Sequence, residues 1–197
     1  MSDLETLSST IKAEADALLY DRGLLQVLGE YGKSVITGSY ALNLMTWRDL
    51  DIYLANDEMT ERRFFDLGGE IAWRLKPHRM HYGNTRIEEV PGLPSGLYWG
   101  IYTASGLPDV WKIDLWWTES ARIRSSQQEL DQLKCAIDED KRRKILVIKD
   151  RVCKSPEHRR TIFSVDVYRA VIEDSVDSIG GFSEWLRAKK GIVCDLS

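Results

Sequence analysis

Cysteine is scarce in this chain: its 197 residues hold three, Cys135, Cys153 and Cys194, an odd number with no CxxC spacing. Neither a disulfide framework nor a zinc site can be built on that set, and plain thiols are expected. Apolar runs long enough to span a bilayer, about 20 residues, are missing as well. The opening MSDLETLSST puts acids where a secretory signal would put a basic region and then an apolar one, so a soluble, cytoplasmic protein is expected. Positive charge has no surplus either. With a net charge of −4 and a sequence pI of about 5.5, the chain lacks the field that long polynucleotides normally require of a partner. That balance suits a small or cationic substrate better. No GxxxxGK[ST] loop, G-x-S-x-G elbow or kinase motif set occurs, which leaves those classes unsupported.

What is present is 43% hydrophobic and 29% charged, enough for one fairly large domain or a domain with a smaller companion. Leu4, Leu7, Ile11, Ala15, Leu18 and Leu19 recur at helical spacing, predicting a helix that breaks near Asp21-Arg22-Gly23 or continues kinked to Leu28. SVIT reads as a short buried strand ending at Gly38-Ser39, and YALNLM fits a helical turn or two beyond it. Thr60 can cap a helix carrying Phe64, Phe65, Leu67, Ile71, Ala72 and Leu75 and stopped at Pro77. Residues 79–118 are aromatic, β-branched and punctuated by glycine, which predicts two or three strands. After Glu119, Ser126-Gln127-Gln128-Glu129 has the form of a capping box and Ser155-Pro156-Glu157 that of a Ser cap followed by Pro. Three or four helices are predicted there, the last closing at Gly191. The expected architecture is an α/β (α+β) core over residues 1–120 with a helical C-terminal region over residues 121–197.

Two aspartates interrupt one of the strands. In DLDIYL, Leu50, Ile52 and Leu54 share one face and Asp49, Asp51 and Tyr53 the other. Strand alternation points both acids the same way with origins roughly 6 to 7 Å apart. Their mutual repulsion is about 0.6 kcal/mol in water but about 2.5 kcal/mol at an effective dielectric of 20, so the pair is cheap in solvent and unfavourable when enclosed. One reading makes DLD the wet face of a half-exposed strand. The other supplies a divalent cation, for which carboxylate oxygens are natural ligands. Two neighbours favour the cation. Gly38-Ser39 ends the preceding strand where a backbone turn can hold a phosphate oxygen, and VWKIDLWW carries a third acid, Asp114, on a strand face with Lys112 and Trp116.

A Gly-Ser pair after a strand, Asp-x-Asp on the next strand and a further acid on a later one resembles the nucleotidyltransferase superfamily with the DNA polymerase beta type of catalytic domain. TGSYALNLMTWRDLDIYL carries the first two elements and KIDLW the third, over about residues 30 to 120. In size the chain is similar to the small aminoglycoside and lincosamide nucleotidyltransferases. The resemblance implies a nucleotidyltransferase-like mixed sheet flanked by helices. It implies that Asp49 and Asp51 hold Mg²⁺, and that Asp114 completes the metal site or takes the proton of the attacking hydroxyl. Gly38 and Ser39 would bind the terminal phosphates of a nucleoside triphosphate, ATP by expectation, and an NMP would pass to an acceptor hydroxyl with release of pyrophosphate. The expected acceptor is a small molecule, aminoglycoside-like on the charge balance. Alternatives are a nucleotidyltransferase-like protein modifying RNA or protein, as antitoxin-type members do, and a non-catalytic nucleotide-binding module.

Other candidates carry a plainer reading beside the functional one. His78 and His81 lie close together but lack a neighbouring cysteine or carboxylate for a metal site. Tyr98, Trp99, Tyr102, Trp111, Trp116 and Trp117 can stack a base or sugar, or form sheet core. Lys141-Arg142-Arg143-Lys144 with Lys149, Arg151 and Lys154 can meet a triphosphate or RNA, or form a solvated helix face.

Overall fold

The computed structural model describes residues 3–194 and 196, which fall into two compact units. One unit comprises residues 12–43 and 48–131; the other comprises residues 3–11, 44–47, 132–194 and 196. In chain order the elements are α1 (Asp3–Asp16), α2 (Leu24–Tyr31), β1 (Lys33–Ile36), α3 (Gly38–Ala41), β2 (Asp49–Ala55), α4 (Glu61–Leu75), β3 (Arg79–Asn84), β4 (Gly96–Thr103), β5 (Trp111–Thr118), α5 (Ser120–Ala136), α6 (Glu139–Val152), α7 (Ser164–Ile172) and α8 (Ile179–Lys190). The expected mixed α/β architecture is present. Between α1 and α2 the chain widens into a single π turn, Ala17–Asp21, where the sequence marks a break.

The first unit is built on a five-stranded sheet of order β1-β2-β5-β4-β3. Only the β2–β5 pair is parallel; the remaining pairs are antiparallel. Alternation gives the sheet one dry side, on which Leu50, Ile52, Leu54, Ile113, Leu115, Leu97 and Ile101 are buried. Helix α4 covers part of it with Phe64, Leu67, Ile71 and Leu75, all fully buried. Each contributes about 1.5–3 kcal/mol by leaving water. The Thr60 hydroxyl accepts from the Arg63 amide at 3.2 Å, the cap read from the sequence. Trp99 joins this side, its indole N–H donating to the Phe64 carbonyl at 2.9 Å.

The other side of the sheet is polar. Where β2 and β5 begin, an ion pair fixes their ends: Glu14, 9% exposed, accepts from Arg48 Nε at 2.6 Å, from Arg48 Nη2 at 2.7 Å and from the indole of Trp111, a residue of the dry side, at 3.2 Å. Arg48 in turn offers its carbonyl to the Lys112 amide at 3.1 Å, which starts the parallel ladder one residue before Asp49. The Arg48 guanidinium, followed by the Trp111 indole, holds the Glu14 carboxyl below its ordinary range despite burial. A folded-state pKa below the unfolded one gives stability that is present above the unfolded value and lost as pH falls through the folded value. Glu14→Gln should therefore flatten the acid limb of a stability–pH curve below the ordinary carboxylate range. Glu14→Ala, which leaves Arg48 and Trp111 without their acceptor, should cost about 2–4 kcal/mol in urea unfolding near neutral pH.

The second unit is helical, with α7 and α8 both packed on α6. Two starts suggested by the sequence are displaced. Ser126 does not open a helix: α5 begins at Ser120 and runs through it, and Ser126 faces the Tyr53 hydroxyl instead. Ser155 does not open one either; its hydroxyl accepts from the Glu157 amide at 3.2 Å in a turn, and Arg159 at φ 62° keeps the chain out of helix until Ser164. A cap motif satisfies one amide wherever it stands, so it marks a local turn as readily as a helix start. Gly191 does close α8.

Lys149 also departs from the solvated-face reading of the basic segment. It is fully buried, donating to the Leu44 carbonyl at 2.7 Å and the Tyr168 hydroxyl at 3.1 Å, with its ammonium 4.5 Å from the Trp47 ring. None of the three cysteines is in a disulfide. No helix among the described residues is long and apolar enough to cross a membrane.

Candidate metal centre

Parallel pairing of β2 with β5 brings the acids together. Asp51 lies directly across from Asp114, and Asp49 across from Lys112, so all four side chains stand on the polar side of the sheet. Asp49, Asp51 and Asp114 each bring a carboxylate oxygen within 4.8 Å of the others, and all three are half-buried. At such separations the repulsion is several times its value in water. The set is all oxygen, the donor chemistry Mg²⁺ selects.

Gly38 brings the backbone to the same place. Its φ of 61° lies in the left-handed region, and a Cβ there would land on Asp51 Oδ2. The Thr37 amide bonds the Asp51 carbonyl at 2.9 Å, locking the turn to β2. Ser39 follows, buried, in the short helix α3. Gly38 and Ser39 thus sit on the β1 side of the acids, and the fit of a divalent cation to the three carboxylates rests on this cradle as well as on the donors.

On the opposite flank Asp114 is held at both oxygens. The Tyr98 hydroxyl donates to Oδ1 at 2.5 Å and the Lys112 ammonium bonds Oδ2. Burial, and then the neighbouring Asp114 charge, push the Tyr98 phenol far up, so it stays a donor. Gly100 is the cross-strand neighbour of Asp114, and its lack of a side chain admits the tips of Tyr98 and His81; a Cβ would come within 2.6 Å of the Tyr98 oxygen and of His81 Nε2.

Beyond Gly100 the polar side becomes aromatic and basic. Tyr98 packs on Trp116 at 4.5 Å, His81 lies edge-on to Tyr98 at 5.3 Å, and the Arg79 guanidinium sits 3.8 Å over the Tyr102 ring. Tyr98, Tyr102 and Trp116 are therefore on the side of the acids, whereas Trp111 is fully buried and Trp99 and Trp117 bond backbone carbonyls at Phe64 and Asn56. His78 and His81 both meet the Tyr102 ring rather than a carboxylate cluster. Two surface depressions lie apart from the acids, one lined by Thr85 and residues 89–95, the other by Glu70, Trp73, Arg74 and Lys76.

Tyr40, which follows the Gly-Ser pair, turns away to bond Asp16 at 2.5 Å and receives the Lys12 ammonium at 4.4 Å over its ring. Sequence reading misses the parts played by Glu14, Lys112 and Tyr98. Lys112 is visible as a same-face neighbour of Asp114; Tyr98 and Glu14 require the register of β4 and the path of α1.

No protein-family model matches the chain, and no curated protein does. Among solved structures it is similar to a cytoplasmic RNA terminal U-transferase, at 13% identity and TM-score 0.49 over 87% of this chain. It is likewise similar to the polymerase core of TRAMP, an RNA surveillance complex, at 12% identity and TM-score 0.49 over 94% of this chain. The chain spans about half the length of these relatives, 51% of the first and 57% of the second.

Proposed function

We propose that the chain is a Mg²⁺-dependent nucleotidyltransferase that moves an NMP from a nucleoside triphosphate, ATP by preference, to an acceptor hydroxyl with release of pyrophosphate. The observation that carries this reading is the convergence of Asp49, Asp51 and Asp114 within 4.8 Å, beside a glycine whose Cβ the site could not accept. A divalent cation held by these carboxylates would neutralise them and the phosphate charge that builds up during transfer. The Gly38-Ser39 turn would hold the departing phosphates. In-line displacement then requires the acceptor to approach from the other flank, over Tyr98, Tyr102 and Trp116. Asp114 serves as a ligand more readily than as a base, because both its oxygens already accept hydrogen bonds.

The acceptor reading is a small molecule with a flat ring. Arg79 on that flank favours an anionic group on it over the polycationic antibiotic suggested by net charge. A macromolecular RNA acceptor gathered by α6 is weakened: Lys149 is buried, Lys144 pairs with Asp140 and Lys154 with Asp150, both at 2.7 Å.

A thermal-shift series tests the core of the reading. A non-hydrolysable ATP analogue with Mg²⁺ at about 100 times its Kd should stabilise the protein by about 2.7 kcal/mol, and Mg²⁺ omission should remove most of that shift. Equal shifts with and without Mg²⁺ would contradict it. Mass analysis of reactions with ATP, Mg²⁺ and candidate acceptors then separates an enzyme, which yields an acceptor heavier by one nucleotidyl group, from a binding module, which does not.

A further inference from the structure

The proposed reaction gives Lys112 no part as a metal ligand, yet the residue stands beside two of the three acids. It is two residues before Asp114 on the same side of β5 and directly across the parallel ladder from Asp49. Its side chain is 20% exposed and that of Asp114 14%, and the two form a direct ion pair. A lysine ammonium is a compact charge on a flexible four-carbon stem, able to exchange one anionic partner for another within its reach. Three converging carboxylates need positive charge to stand together in a half-buried place, and Lys112 supplies one unit of it.

We propose that Lys112 is the internal counter-ion of the triad, released to the triphosphate when the nucleotide arrives, so that the cation and the nucleotide bind as a linked pair; this rests on the proposed metal-binding role of the three acids. With Lys112 on Asp114, a bare divalent cation meets a site already partly neutralised, together with a like charge close by. An incoming triphosphate offers the ammonium a denser anion, which frees Asp114 Oδ2 for the cation and adds Lys112 to the phosphate contacts. The coupling is reciprocal: whatever the nucleotide does for metal affinity, the metal does for nucleotide affinity. In physical terms the lysine suppresses loading by metal alone and favours loading by the metal–nucleotide complex.

The test uses Mn²⁺ as a paramagnetic probe, with free Mn²⁺ read by electron paramagnetic resonance, and α,β-methylene-ATP binding read by calorimetry. Lys112→Met keeps the stem and removes the charge. It should bind Mn²⁺ alone about tenfold or more tighter than the parent, and the Mn²⁺–nucleotide complex about tenfold or more weaker. Lys112→Arg keeps the charge and should leave the affinity for Mn²⁺ alone within about threefold. Where Lys112→Met does not fold, Lys112→Gln carries the same comparison. Unchanged Mn²⁺ affinity in the neutral variant, with binding still lost in Asp51→Asn, overturns the counter-ion role and leaves the metal site standing. Mn²⁺ binding indifferent to Asp51→Asn overturns both.

Discussion

Asp51→Asn is expected to lower Mg²⁺-dependent pyrophosphate release by roughly a thousandfold while the melting temperature stays the same or rises. The substitution keeps the side chain's shape and the Thr37-to-Asp51 backbone bond, so the turn at Gly38 persists. It removes one of three mutually repelling charges in a half-buried cluster whose oxygens lie within 4.8 Å of one another, where each such repulsion is worth about 3.5 kcal/mol or more at an effective dielectric of 20. A residue that stabilised the fold through its charge would show the reverse, with lost stability accompanying lost turnover. Turnover close to that of the parent protein in Asp51→Asn would sink the assignment, and Asp49→Asn should behave alike.

Gly38→Ala is the second large effect. An L-residue in the left-handed region costs about 1–2 kcal/mol, and here the new methyl also meets Asp51 Oδ2, so that carboxylate must move. The combined expectation is a melting temperature lower by about 2–8 °C and turnover reduced by about a hundredfold, since displacements near 1 Å cost that much in a positioned site. Ser39→Ala, which leaves the backbone alone, should not reproduce the loss of stability. A Gly38→Ala protein with unchanged turnover would show that the turn and the acids work independently.

The faces of the strands are legible because alternation is a local rule: Leu50 inward and Asp49 and Asp51 outward follow from the pleat, as does Asp114 beside Lys112. Their convergence is not a local property. It depends on β5 inserting between β2 and β4, parallel to β2 and in register with it, which no stretch of residues announces. Helix starts at Ser126 and Ser155 mislead for the opposite reason, since a cap motif describes a single turn and leaves the conformation of the next residues open. Lys149 escapes sequence reading because a long basic side chain counts as solvated until a carbonyl, a phenol and an indole are found around its ammonium.

The insertion of β5 also sets when the acids meet. Asp51 and Asp114 are about sixty residues apart in the chain, and the strand that joins them is the last of the five to be synthesised. Closing so long a loop is entropically expensive before its contacts form, and non-local parallel pairing is among the slower events in folding. The three carboxylates should therefore converge late in refolding, with the whole sheet, and any opening that detaches β5 will disperse them before the remaining strands melt.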